Sequence, residues 1–397
     1  MLSLENKTLL VICFSYETFV KNLTEALSKH FRKVYVLVRY NPLFEVANFI
    51  PLPYFKRRRI FTKKYSIDLT NTPANVKIIP TAMWNLPMKN AERKLGEKQF
   101  LASLKATRSF NISFDIIHAH YGFPCGYAAV ELKRVFNKPC VITGHGYDVY
   151  DFPFRDDDWR SKYKFAYENA DEVVTVSRNN SECLKRLGLK KEAHIIPNGF
   201  SKALFHFKPR KNSFEKLGLP ADKKIILTIG TFVPEKGYEY LLKALKIISR
   251  QRQDFLCIHI GSGVLQESLL KMAGDMEITS FIRFLGAKPH RELVDWYGAC
   301  DFFVSSSIAE GNPTVLFESL GCGKAFVGTK VGGVPDIVTS EDYGLLADPG
   351  DENALANNIL LALDRKWNPE KILRYAEQFT WEKIAEQYLS VFYRLPE

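Results

Sequence analysis

Residues 301–330 read DFFVSSSIAEGNPTVLFESLGCGKAFVGTK. The apolar run DFFVSSS predicts a strand, EGNP a turn, PTVLFESLG a helix and KAFVGTK a second strand. Pro313 suits the first helical position, where its missing N–H costs nothing, and Asn312 is a natural N-cap. Leu316 and Leu320 stand four apart and predict a core-facing stripe. Thr314, Glu318 and Gly321 share another stripe, and Gly321 or Gly323 closes the helix.

The same alternation runs outward through most of the chain. TLLVICFS (8–15) reads as a strand and ETFVKNLTEALSKHF (17–31) as a helix with Phe19, Leu23 and Leu27 on one stripe. KVYVLVRY, DIIHAHY, PCVITGHG, EVVTVS and AHIIPNG are further strands with helical patterns between most of them. Strands apolar on both faces and separated by helices predict α/β structure with doubly wound parallel sheets. Residues 201–222 break the rhythm with prolines and charges, and read as a linker. The alternation restarts at KIILTIGTF. Two Rossmann-like domains are therefore expected, over 1–200 and 223–379. Residues 380–397 form a helix expected to pack back toward the first domain.

The length of 397 residues suits two cores, and the net charge of +11 favours anionic partners. The seven scattered cysteines show no metal-ligand spacing and read as reduced, buried thiols. The first apolar run is short and follows Glu5 and Lys7, unlike a secretory leader. No run approaches the ~20 apolar residues of a membrane span. These features predict a cytoplasmic protein. No RNA-binding signature accompanies the charge, so nucleic acid is not an expected partner.

Glu310 should sit at the carboxyl end of a strand and Glu318 just over one turn into the next helix. Between them, the N–H groups of Thr314 and Val315 face out of the helix start and attract phosphate. Two glutamates at this spacing, standing alone, would be solvated charges. In this context they suit a ligand with phosphate in its middle and hydroxyls at both ends. A nucleotide sugar has that shape.

EGNPTVLFESLGCGKAFVGTKVGGVPDIV resembles the E-x7-E signature of retaining glycosyltransferases of GT-B fold, family four. IGTFVPEKGYEYLLKAL, IHIGSGVLQESLL, ADEVVTVSRNN and IIPNGF resemble that family in order, so the resemblance covers nearly the whole chain. It implies two domains facing a central cleft, with the acceptor on the first and the nucleotide sugar on the second. It implies that Glu310 binds the donor sugar beside the Gly311, Asn312, Pro313, Thr314 and Val315 backbone, and that Glu318 binds the ribose. Lys236, with Gly230 and Thr231 before it, would contact the diphosphate. The family commonly has arginine where this chain has Thr231. The resemblance also implies catalysis by His145, Lys236 and Glu310 without a metal. No cofactor is expected beyond a donor substrate linked to UDP or GDP.

His145 follows the strand PCVITG between two glycines, and the resemblance places it at the donor sugar near the reacting centre. Asp148 could orient it or bind acceptor, and His120 could line the acceptor side. His118 should point the same way as His120, but a His-x-His pair without a third ligand does not make a metal site. RDDDW (155–159) reads as the acidic start of a helix. The Lys56–Lys64 cluster, with its aromatic neighbours, suggests contact with anionic membrane at the inner face of the plasma membrane. A glycan or lipid-linked acceptor, in cell-surface polysaccharide, glycolipid or glycoprotein glycan assembly, would suit that surface. The alternative function is a nucleotide-sugar 2-epimerase of the same fold.

Overall fold

A computed structural model describes residues 4–47, 61–85 and 91–396. They form two compact units, Met1–Pro197 with Trp381–Glu397, and Asn198–Thr380. Lys56–Ile60 of the basic cluster lie outside the described residues.

The first unit is built on a parallel sheet of seven strands. They are β1 (Thr8–Cys13), β2 (Lys33–Tyr40), β3 (Val76–Ala82), β4 (Ile116–His120), β5 (Cys140–Gly144), β6 (Glu172–Thr175) and β7 (His194–Ile195). Their order is β3-β2-β1-β4-β5-β6-β7. Every residue of β1 is buried, because helices cover both faces of the sheet. Leu10 and Ile12 enter the core on one face, and Leu9, Val11 and Cys13 the core on the other. The second core also takes Val20, Leu23 and Leu27 from the helix Thr18–Ser28 and Ile384, Tyr388 and Phe392 from the helix Trp381–Phe392. The last helix of the chain thus completes the first unit.

The second unit carries six parallel strands. They are β8 (Lys224–Ile229), β9 (Phe255–Ile260), β10 (Ile282–Phe284), β11 (Phe302–Ser305), β12 (Phe326–Thr329) and β13 (Gly344–Ala347), in the order β10-β9-β8-β11-β12-β13. In both sheets the strand order reverses beside the first strand. The crevices this opens lie between β1 and β4, and between β8 and β11, the usual ligand positions of such sheets.

Residues 201–222 are not a bare linker. They contain the helix Arg210–Leu217, which packs on the helix Leu293–Ala299 in the second unit. Lys208 and Lys216 both pair with Asp295, and Gly298 lies against Ser213. β3 and β13 lie outside the strands the sequence predicts, and AHIIPNG supplies only a two-residue strand. All seven cysteines are buried and free. Among the described residues no helix is long and apolar enough to cross a membrane.

Candidate active site

The second unit brings Lys236, Glu310 and Glu318 to the carboxyl edge of its sheet. After β8, the chain passes Gly230 and the exposed Thr231 into a short 3-10 turn, Pro234–Lys236. After β11, it passes Ser306 and Ser307 to Glu310. Lys236 Nζ lies 2.5 Å from Glu310 Oε1, and the Ser307 hydroxyl donates to the same oxygen at 2.8 Å. Ser306 Oγ donates to the Lys236 carbonyl at 3.0 Å. The β8 and β11 loops are therefore tied together at the crevice. Glu310 Oε2 makes none of these bonds and can accept from a ligand hydroxyl.

The Glu310 turn is held from behind by Gly332 and Gly333. Gly332 has φ +52°, and a Cβ there would sit 2.2 Å from the Glu310 carbonyl oxygen. Gly333 N–H donates to the Gly311 carbonyl at 2.8 Å. This close approach gives Gly332 its physical reason.

The helix runs Thr314–Gly321, with Pro313 as N-cap and no side-chain cap. The expected caps therefore shift. Pro313 lies just outside the helix, and Asn312 does not cap it. Asn312 Oδ1 accepts from the Asn198 N–H at 3.0 Å, and its carbonyl accepts from Asn198 Nδ2 at 2.7 Å. Two asparagines far apart in sequence thus fasten the loop before the helix. Among the described residues no protein acceptor takes the Thr314 or Val315 N–H. Leu316 and Leu320 are buried as expected. Gly323, at φ +73°, follows the helix end.

Glu318 is 5% exposed and has two partners that spacing could not reveal. Its Oε1 lies 2.9 Å from His290 Nε2, and Tyr297 donates to its Oε2 at 3.1 Å. Burial, then the Glu318 charge, pushes the Tyr297 phenol well above its ordinary pKa, so it stays a donor. Phe205 packs edge-on against His290 and Tyr297. Each carboxylate oxygen keeps a free lone pair for a ligand hydroxyl.

In the first unit, His145 follows β5 and is 9% exposed. Its Nε2 lies 3.0 Å from His120 Nδ1, and its ring packs on Phe19 and Tyr121 at 4.7 and 4.9 Å between centroids. Burial lowers the pKa of His145 to about 3 and holds His120 well below its ordinary value, so both are neutral. His145 Nδ1 has no protein partner. His120 is fully buried and supports His145, and its Nε2 has no protein partner. His118 points the same way and bonds Thr143 Oγ1 at 2.9 Å.

Asp148 is buried behind the His145 turn, where it can orient that residue. Its Oδ1 accepts from the His145 and Gly146 N–H groups at 3.0 and 2.8 Å. Its Oδ2 accepts from Gly122 N–H at 3.0 Å and from the Tyr167 hydroxyl at 2.8 Å. Four donors to one buried carboxylate lock the turn that carries His145. Asp156 caps the helix Asp157–Asn169, and Arg93 pairs with Asp156 and Asp158, so RDDDW is a capped helix start. Among the described residues no three His, Cys, Asp or Glu side chains gather as a metal site.

A model for glycosyl transferases group 1 matches residues 209–379, and one for glycosyltransferase family 4 matches 16–203. An uncharacterized glycosyltransferase of Methanocaldococcus jannaschii is 30% identical over 287 residues, covering 71% of this chain and 76% of that one. The chain belongs to the family 4 glycosyltransferases. Solved structures agree in fold. Sucrose-phosphate synthase from Thermosynechococcus elongatus superposes with a TM-score of 0.74 at 23% identity, covering 98% of this chain and 99% of that one. The Anabaena protein HepE in complex with UDP-glucose gives 0.71 at 17% identity, covering 98% and 100%. This glycosyltransferase therefore has the GT-B fold, with the two Rossmann-like sheets described above.

Proposed function

We propose that this glycosyltransferase moves a hexose from a nucleoside diphosphate to an acceptor hydroxyl, with retention and without a metal. The observation that carries the reading is the Lys236–Glu310 pair at the β8/β11 crevice, beside a helix start with unclaimed N–H groups. A UDP-linked donor is favoured, since HepE of the same fold holds UDP-glucose.

Each residue has a task in that reading. The diphosphate lies against Lys236 and the Thr314 and Val315 N–H groups. Glu310 Oε2 accepts from a sugar hydroxyl, and Glu318 accepts from the ribose. As the glycosidic bond breaks, negative charge grows on the β-phosphate. Lys236 and the helix start stabilise that charge, an oxyanion-hole role. The neutral His145 offers a hydrogen bond, not a charge, at the sugar's edge. The acceptor is a glycan or lipid-linked hydroxyl, which attacks on the face the nucleotide leaves. Its proton passes to the departing phosphate. Contact with anionic membrane through Lys56–Lys64 and a role in surface glycan assembly belong to the same proposal.

Lys236→Ala and Glu310→Ala are each expected to cut transfer from UDP- or GDP-sugars about 100-fold or more. Transfer near the wild-type rate in either variant refutes the roles of these two residues. Excess EDTA is expected to leave the rate unchanged, and a collapse restored by divalent ions refutes metal independence. Incubation with a UDP-sugar alone separates the epimerase alternative, because an epimerase changes the sugar without an acceptor.

A further inference from the structure

Arg39 is the penultimate residue of β2, at the carboxyl edge of the first sheet. Its guanidinium carbon lies 4.3 Å from the centroid of the Phe14 ring and 5.5 Å from that of Phe61. Its Nε is buried and has no hydrogen-bond partner. The titratable groups beside it are Cys125 and Tyr163, both kept protonated by burial. Among the described residues no carboxylate pairs with it, and outside them only Glu397 is acidic. A half-buried guanidinium without a counter-charge is costly, and two aromatic faces offset only part of that cost.

Its position suggests what completes it. Phe14 follows β1 and stacks on Tyr121, with centroids 4.6 Å apart. Tyr121 follows β4 and packs on His145 after β5. Arg39, Phe14, Tyr121 and His145 thus form a row across four adjacent strand ends, β2-β1-β4-β5. Three strand spacings separate the ends of the row by about 14 Å. The row is aromatic in the middle, neutral at His145 and cationic at Arg39.

We propose that Arg39 anchors an oxyanion subsite for the acceptor. It takes a carboxylate or phosphate monoester, while the acceptor's reacting hydroxyl lies toward His145 and its body runs over Phe14 and Tyr121. The guanidinium fork matches such an anion with two parallel hydrogen bonds, which an ammonium cannot do. The inference rests on the reading that the His145 end of the sheet holds the reacting centre.

The test uses the full chain with UDP or GDP, whichever calorimetry shows to bind, held saturating to fill the donor site. Thermal unfolding is followed while methyl glucuronide, glycerol phosphate or the neutral methyl glucoside is added at constant ionic strength. At least one anion is expected to raise the midpoint saturably where the glucoside does not, and the responding anion separates carboxylate from phosphate recognition. Arg39→Met is expected to weaken that response about tenfold or more, with nucleotide affinity unchanged. If Arg39→Met does not fold, Arg39→Lys is read instead, and a severalfold weaker response is expected from loss of the fork. Equal response to the glucoside, no response to either anion, or a full response in the variant overturns the subsite. Failure of the wild type to bind UDP or GDP refutes the donor reading instead.

Discussion

Replacing Asp148 with Asn puts an NH2 group against N–H donors and a hydroxyl that now converge on two carboxylate oxygens. Burial raises the pKa of Asp148, and its four hydrogen bonds oppose that rise. Asp148→Asn is expected to cost about 2–4 kcal/mol in denaturant unfolding. A loss of activity without a loss of stability would contradict its role as a fastening of the His145 turn. Such residues separate chemistry from support. His145 and Asp148 are both candidates in the motif GHGYD, yet both Asp148 oxygens are taken while His145 Nδ1 has no protein partner. Glu318 shows the reverse case. Its place is readable in the sequence, but His290 and Tyr297 lie 28 and 21 residues away and meet it only in the fold.

The loop carrying Glu310 depends on the one after β12. At Gly332 the backbone has φ +52° and no room for a Cβ beside the Glu310 carbonyl. Gly332→Ala is therefore expected to destabilise the protein by about 1–3 kcal/mol. It should also lower transfer, because the Glu310 turn must move. Gly274→Ala provides the contrast. Gly274 lies in the helix Gln266–Asp275 with no positive φ, and a Cβ added there would meet nothing within 4 Å. That change is expected to be neutral or to stabilise by about 0.5–1 kcal/mol. Equal unfolding midpoints for the two variants would show that the Gly332 contact does not matter. The helices and strands themselves were largely legible, because strands buried on both faces read as unbroken apolar runs. β3 is not legible because it is an edge strand of alternating burial, VKIIPTA, with Pro80 inside it. The helix Arg210–Leu217 is not legible because its own sequence buries little, Ser213 and Phe214. Its packing comes from Asp295 and Gly298, supplied far along the chain.

Both units bury neutral histidines. Burial lowers His118 and His145 in the first unit, and His259 in the second, to about 3. In the unfolded chain a histidine takes up its proton near pH 6.5. Between about pH 3 and 6.5 the unfolded state therefore binds more protons, and stability falls as pH drops through that window. Near-UV circular dichroism in urea is expected to show a midpoint constant from pH 8 to 7 and falling steadily from 6.5 to 5. His259→Phe, beside the stacked Phe232 ring, should shallow the fall. A midpoint unchanged down to pH 5 would show that these rings are charged in the folded protein.

The sequence by itself determined the α/β class, the two parallel-sheet units and the strand-end positions of Lys236 and Glu310. Apolar periodicity and turn chemistry are local, and such properties survive in one dimension. Only the tertiary structure decided which groups stand free and which are spent. It set Lys236 on Glu310, His290 and Tyr297 on Glu318, Asn198 on Asn312, and four donors on Asp148. It also left Arg39 without a carboxylate partner among the described residues. Hydrogen bonds and ion pairs act over a few ångströms, and the chain brings those partners together only when the sheets are assembled.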